Sequence, residues 1–137
     1  MFPQDVPAND LIALAAKELK ANGKFPKPAW LEGVKSSAGR ERVPAQEDFW
    51  WIRVASILRT IYFDGPVGTE RLRHKYGGRK RHVVHTPHHV KAGGKIIRSA
   101  LQQLGEAGFV ESVKGKGRKI TRAGQSFLDN AAKKYSS

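Results

Sequence analysis

Apolar positions crowd most densely between Asp48 and Asp64, DFWWIRVASILRTIYFD. Trp50, Trp51, Val54, Ala55, Ile57, Leu58, Ile61 and Tyr62 fill about half of a helical wheel or more. Phe49, Ile52 and Phe63 break into the remaining strip, so this helix must be surrounded by other elements. Arg53, Ser56, Arg59 and Thr60 form its narrow hydrophilic seam. Neither arginine has an acid three or four residues away along the helix, so no intrahelical ion pair is available to it. Two readings stay open for the pair: solvent-facing charges at the edge of a core helix, or contacts to a ligand.

The same pattern predicts the rest of the chain. Pro7 suits the start of a helix running to about Asn22, with Leu11, Leu14, Ala15 and Leu19 on its buried stripe and Gly23 after its end. Pro26 and Pro28 then enforce an extended approach to a short turn that anchors Trp30 in the core. Residues 35–45 are Ser, Gly, Arg, Glu and Pro and form a loop, either a solvated linker or a contact through Lys35, Arg40 and Arg42. After the central helix, Asp64, Gly65 and Pro66 turn the chain, and a short helix runs from Thr69 to about Tyr76. Ile96, Ile97, Ala100, Leu101 and Leu104 bury one face of a helix spanning Lys95 to Ala107. Phe109 to Val113, a KGKG turn and Arg118 to Thr121 make a basic hairpin, and Thr121 caps a last helix running to about Tyr135.

The expected fold is mainly α: a single domain over 1–137, built around the central apolar helix, with a small C-terminal β-hairpin and winged-helix-like. Its core includes Trp30, Trp50, Trp51, Ile57, Leu58 and Ile61. At 137 residues and 39% hydrophobic content, one core is the economical arrangement. No cysteine is present, which excludes disulfides and thiolate metal sites. No apolar run approaches the roughly 20 residues needed to span a bilayer, and the N-terminus carries an acid where a secretory signal carries base. A soluble cytoplasmic protein with no membrane partner, monomeric when free, is the expectation.

Charge changes the picture most. Lys and Arg number 25 against 12 Asp and Glu, a net charge of +13, and so large an imbalance points to a polyanionic partner. From Arg71 to Gly105 there is no acid at all. Within 77–94 the absence of hydrophobic period and the wealth of Gly, Lys, Arg and His predict a flexible basic loop. His85, His88 and His89 invite a zinc reading. The missing cysteines, the missing local carboxylates and the surrounding positive charge weigh against it, so no metal and no cofactor are expected. No nucleophile elbow, P-loop or paired acids support catalysis. The expected nucleic-acid contacts are Arg53, Arg59, Arg71, Lys75, Arg79, Lys80, Arg81, His85, His88, Lys91, Lys95, Arg98, Lys116, Arg118 and Lys119.

Several short motifs also resemble one family over almost the whole chain. They are Pro28-Ala29-Trp30, Trp50-Trp51 with Arg53, Ala55-Ser56, Arg59 and Tyr62, Gly65-Pro66-Val67-Gly68, Tyr76-Gly77-Gly78-Arg79, the helix from Arg98 to Leu104, Gly117-Arg118, and Thr121 with Gly124. Together they resemble the archaeal and eukaryotic small-ribosomal-subunit protein nineteen family, S-nineteen-e. The resemblance implies a helical fold with a small hairpin, docked on ribosomal RNA in the head of the small subunit beside other ribosomal proteins and needed for that subunit's assembly and maturation. It also implies that Arg53 and Arg59 are RNA contacts. The alternative is a winged-helix DNA-binding transcriptional regulator, which the C-terminal half alone would fit.

Overall fold

Pro7 precedes and Gly23 closes the first helix, α1 (Ala8–Asn22), in a computed structural model that describes residues 2–28, 49–76, 78–80, 88–90 and 94–135. A short 3-10 turn, Pro3–Asp5, comes before it, with the Phe2 N–H donating to the Asp5 carboxylate at 3.1 Å. Trp30 and the loop at 35–45 lie outside the described residues.

The central helix, α2, spans Phe49–Asp64. Trp50, Val54, Ile57, Leu58 and Ile61 are fully enclosed. Their offsets of four, seven, eight and eleven residues from Trp50 put all five on one stripe. Trp51, about 100° further round the helix, differs from the sequence expectation. It is half-buried at the rim of the core, where its Nε1–H donates to the Phe25 carbonyl at 2.8 Å and the Lys20 ammonium lies over its ring. α1 packs on α2 and on the last helix. Val6, Leu11, Ala131 and Ala132 seal that second contact.

After α2 the chain follows a winged-helix order. Val67 sits between α2 and α3 (Thr69–Lys75), which is followed by the short strands β1 (Gly78–Lys80) and β2 (His88–Val90), α4 (Gly94–Glu106), the hairpin β3 (Val110–Val113) and β4 (Gly117–Ile120), and α5 (Arg122–Tyr135). Val67 joins the hairpin as a one-residue third strand, exchanging both backbone hydrogen bonds with Arg118 at 3.0 and 2.8 Å. That bridge ties the wing to the turn after α2, so the wing's basic side chains are positioned by the core and not by the hairpin alone. Ile96, Ile97, Ala100, Leu101 and Leu104 of α4 are buried against α2 and α3. Gln103 clamps three segments: its Oε1 accepts from Trp50 Nε1 at 3.0 Å and its Nε2 donates to the Pro26 carbonyl at 2.9 Å. Thr121 caps α5, accepting from the Gly124 N–H at 3.3 Å while donating to the Gly108 carbonyl. Gly124 is buried where a Cβ would collide with the Phe109 carbonyl and lie 2.8 Å from Ile120, so this turn of α5 rests directly on the backbone entering β3.

Within 77–94, residues 81–87 and 91–93 and Gly77 lie outside the described residues. The flexible loop expected there is replaced, in its described parts, by paired strands: β1 (Gly78–Lys80) and β2 (His88–Val90) form an antiparallel ribbon, with Gly78 opposite Val90 and Lys80 opposite His88. Three-residue strands held by backbone pairing need no apolar face, which is why no periodicity announces them.

Tyr62, at the far side of α2, donates to Asp129 Oδ1 of α5 at 3.3 Å. Burial, then the Asp129 charge and this bond, raise its phenol above the ordinary value of 10.0. A raised folded-state value leaves this contribution intact below pH 10 and removes it as the pH rises through the folded value. Thermal melts should therefore show a steeper loss above about pH 10 in the native protein than in Tyr62→Phe; parallel curves would count against the link.

Candidate nucleic-acid interface

Three polar residues on the seam of α2, Arg53, Ser56 and Thr60, meet the end of α3. Thr60 is only 3% exposed, so its hydroxyl must find partners inside the protein. Its proton goes to the Ser56 carbonyl at 3.0 Å. The same oxygen accepts from the Lys75 ammonium at 2.9 Å and faces the Tyr76 hydroxyl at 3.3 Å. Tyr76 in turn shares a 2.6 Å hydrogen bond with Ser56 Oγ. The cluster fixes the Tyr76 ring, and Arg53 lies over that ring at 4.2 Å and over Phe49 at 5.3 Å. Two cations from different helices, Arg53 and Lys75, are thereby anchored to one hydroxyl and aromatic cluster.

The second seam arginine is held differently. The Arg59 guanidinium lies 4.5 Å from the centroid of Phe63, a ring that is 41% exposed. Its Nε is buried without a hydrogen-bond partner among the described residues. Both arginines thus have helical neighbours after all: Phe49 precedes Arg53 by four residues and Phe63 follows Arg59 by four. Looking only for acids at that spacing misses them, although Arg with Phe at i,i+4 is a readable signal for a cation over a ring.

The remaining expected contacts are distributed over three places. Arg71 and Lys75 are exposed on α3, and Lys95 and Arg98 are exposed on α4. Arg73, one turn before Tyr76, is engaged with Glu70 at 2.7 Å. On the wing, Lys116 is exposed, Arg118 is half-buried beside the Val67 bridge, and Lys119 pairs with Glu111 at 3.2 Å. The exposed Lys119 pair is worth little in water and yields readily to a phosphate. Arg79, Lys80 and His88 fall in β1 and β2, while Arg81, His85 and Lys91 lie outside the described residues. Tyr76 and Ser56 are not legible as site residues in the sequence, because their contacts form only where α2 meets the end of α3, whereas Phe63 is legible through its i,i+4 spacing from Arg59. No described helix is long and apolar enough to cross a membrane.

A protein-family model described as ribosomal protein S19e matches residues 3–137. Among curated proteins, the small ribosomal subunit protein eS19 of Haloarcula marismortui is 43% identical over 132 residues, covering 93% of this chain and 86% of its own. The eS19 protein of Aeropyrum pernix is 44% identical over 133 residues, with 94% and 86% covered. That of Emericella nidulans is 40% identical over 131 residues, with 95% and 88% covered.

Proposed function

The chain belongs to the ribosomal protein S19e family, and on that premise we propose that it is a structural, RNA-binding component of the small ribosomal subunit. Its role is architectural rather than catalytic. It docks on ribosomal RNA in the subunit head beside neighbouring ribosomal proteins and supports the subunit's assembly and maturation. Off the ribosome it is a monomer.

The observation that carries this reading is the seam of α2, where Arg53 and Lys75 share one hydroxyl and aromatic cluster. A guanidinium and an ammonium held in place lose little side-chain freedom on meeting phosphate oxygens, and a planar guanidinium suits paired acceptors. The exposed cations of α3, α4 and the wing supply further backbone contacts, and a net charge of +13 draws the chain to a polyanion.

The test is equilibrium binding to a transcript of the small-subunit RNA head, against duplex DNA of equal length, across a salt series. The native protein should prefer the transcript, and its affinity should fall steeply with salt. Lys75→Glu should reduce the log-log salt slope by about 0.7–0.9 for each phosphate no longer neutralised and cost about 0.5–1.5 kcal/mol of stability, since the buried Thr60 hydroxyl loses the ammonium donor. Arg53→Glu should reduce the slope similarly and cost about 0.5–2 kcal/mol of stability, because no cation then lies over the Tyr76 ring. Equal affinity for DNA, or slopes unchanged in both variants, would sink the reading.

A further inference from the structure

The two seam arginines differ in one respect that charge does not explain. Arg53 lies over two rings, Phe49 and Tyr76, and Tyr76 is itself locked by Ser56 and Thr60. Among the described residues Arg59 lies over a single ring, Phe63, at 4.5 Å. Phe63 is one of few large apolar side chains left exposed among the described residues, at 41%. The core has no use for it, since the buried stripe of α2 runs through Trp50, Val54, Ile57, Leu58 and Ile61. Its edge-on contact with Tyr62 at 5.2 Å restrains the ring without covering it. The Arg59 Nε is also buried without a hydrogen-bond partner among the described residues, an arrangement that forgoes a donor while the guanidinium carbon stays within 4.5 Å of the ring centre.

A guanidinium over an aromatic ring that is 41% exposed offers a stacking surface. Phosphate alone would need only the charge, and an extended, solvated arginine would serve it. Unpaired nucleobases, in contrast, stack on aromatic rings and on guanidinium planes, and every base offers a π face. Resting on the RNA-binding reading above, we infer that Arg59 and Phe63 together form a subsite for one unpaired, splayed-out nucleobase, so that the end of α2 engages single-stranded RNA rather than only a duplex backbone. An apolar side chain of a neighbouring protein is the competing occupant. The net positive charge of the chain and the cation lying on the ring itself favour the base.

Stacking and charge leave different signatures. Binding is measured to a single-stranded oligoadenylate carrying 2-aminopurine and to a fully paired RNA duplex of the same length, across a salt series. For the native protein, 2-aminopurine fluorescence should be quenched on binding. Phe63→Ala should weaken single-strand binding roughly 5- to 100-fold, leave its salt slope unchanged, spare the duplex and remove the quenching. Phe63→Tyr should restore affinity and quenching, whereas Phe63→Leu should not. Arg59→Gln should lose affinity and also about 0.7 from the single-strand slope. Because Phe63 is exposed, its variants should stay folded and melt at most slightly below the native protein, losing no more than the contact of an exposed cation over a ring, and Arg59→Gln should lose a similar amount.

The inference is overturned if Phe63→Ala binds the single strand as tightly as native, if it weakens both RNAs equally, or if Phe63→Leu retains full affinity, the last result showing that no aromatic ring is needed and leaving the patch to the apolar occupant. Native binding to RNA with a normal salt slope alongside any of these leaves the ribosomal reading intact and removes only the stacking subsite. Failure of the native protein to bind either RNA overturns both.

Discussion

Trp50→Ala should lower the unfolding free energy by about 3–5 kcal/mol, the range for emptying an aromatic site in a core that closes only partly around the gap. Trp50 is fully enclosed within the main core cluster, to which α1, α4 and α5 also contribute residues. Its removal also leaves Gln103 without the indole donor at 3.0 Å, loosening the clamp that reaches Pro26. The adjacent Trp51→Ala should cost about 2 kcal/mol, since a half-buried ring loses partial burial and one hydrogen bond to the Phe25 carbonyl. Trp50→Phe separates the two terms at the buried site, retaining most of the volume while losing the donor. Denaturant melts would decide the order; a Trp51 variant less stable than the Trp50 variant would mean that the core is centred on the wrong side of α2.

The second large effect is expected at Gly117. Its φ is +90°, and a Cβ there would collide with the Val67 carbonyl and lie 2.7 Å from the Gly68 nitrogen. Those obstacles are backbone, held by the two hydrogen bonds between Val67 and Arg118, so they cannot rotate aside. Gly117→Ala must therefore pull β4 away from Val67. Strain at a left-handed position contributes about 1–3 kcal/mol, and each broken bridge hydrogen bond adds about 1 kcal/mol, for a total of about 3–5 kcal/mol. Gly115 also has positive φ, +76°, but nothing lies within 4 Å of its Cβ position, so Gly115→Ala should cost only the conformational part. Comparable stabilities for the two variants would show that the bridge contributes nothing. If the bridge positions the wing, residual folded Gly117→Ala should also bind RNA more weakly than Gly115→Ala, because Arg118 moves with β4.

The helices were legible in the sequence because their signals are local. A stripe of apolar residues, a proline before the first turn and a glycine after the last place α1, α2, α4 and α5 to within a residue or two, and Thr121 announces its own cap. The basic wing was legible for the same reason, as were the charge imbalance and the motifs shared with the ribosomal family. The β1–β2 ribbon was not, since its short strands carry no apolar alternation.

What only the tertiary structure decided are choices between residues that look alike along the chain. Two adjacent tryptophans have the same propensity, yet the elements packed on α2 enclose Trp50 and leave Trp51 at the rim against the Phe25 carbonyl, because a helix turns about 100° per residue. Two arginines share one seam, yet the docking of α3 brings Tyr76 to Arg53 across 23 positions and leaves Arg59 to its own helix. Gly117 reads as an ordinary turn glycine until Val67, fifty residues earlier, is laid against it. In each case the sequence sets which side chains are available, while burial and orientation are set by contacts between elements distant along the chain, which no local pattern encodes.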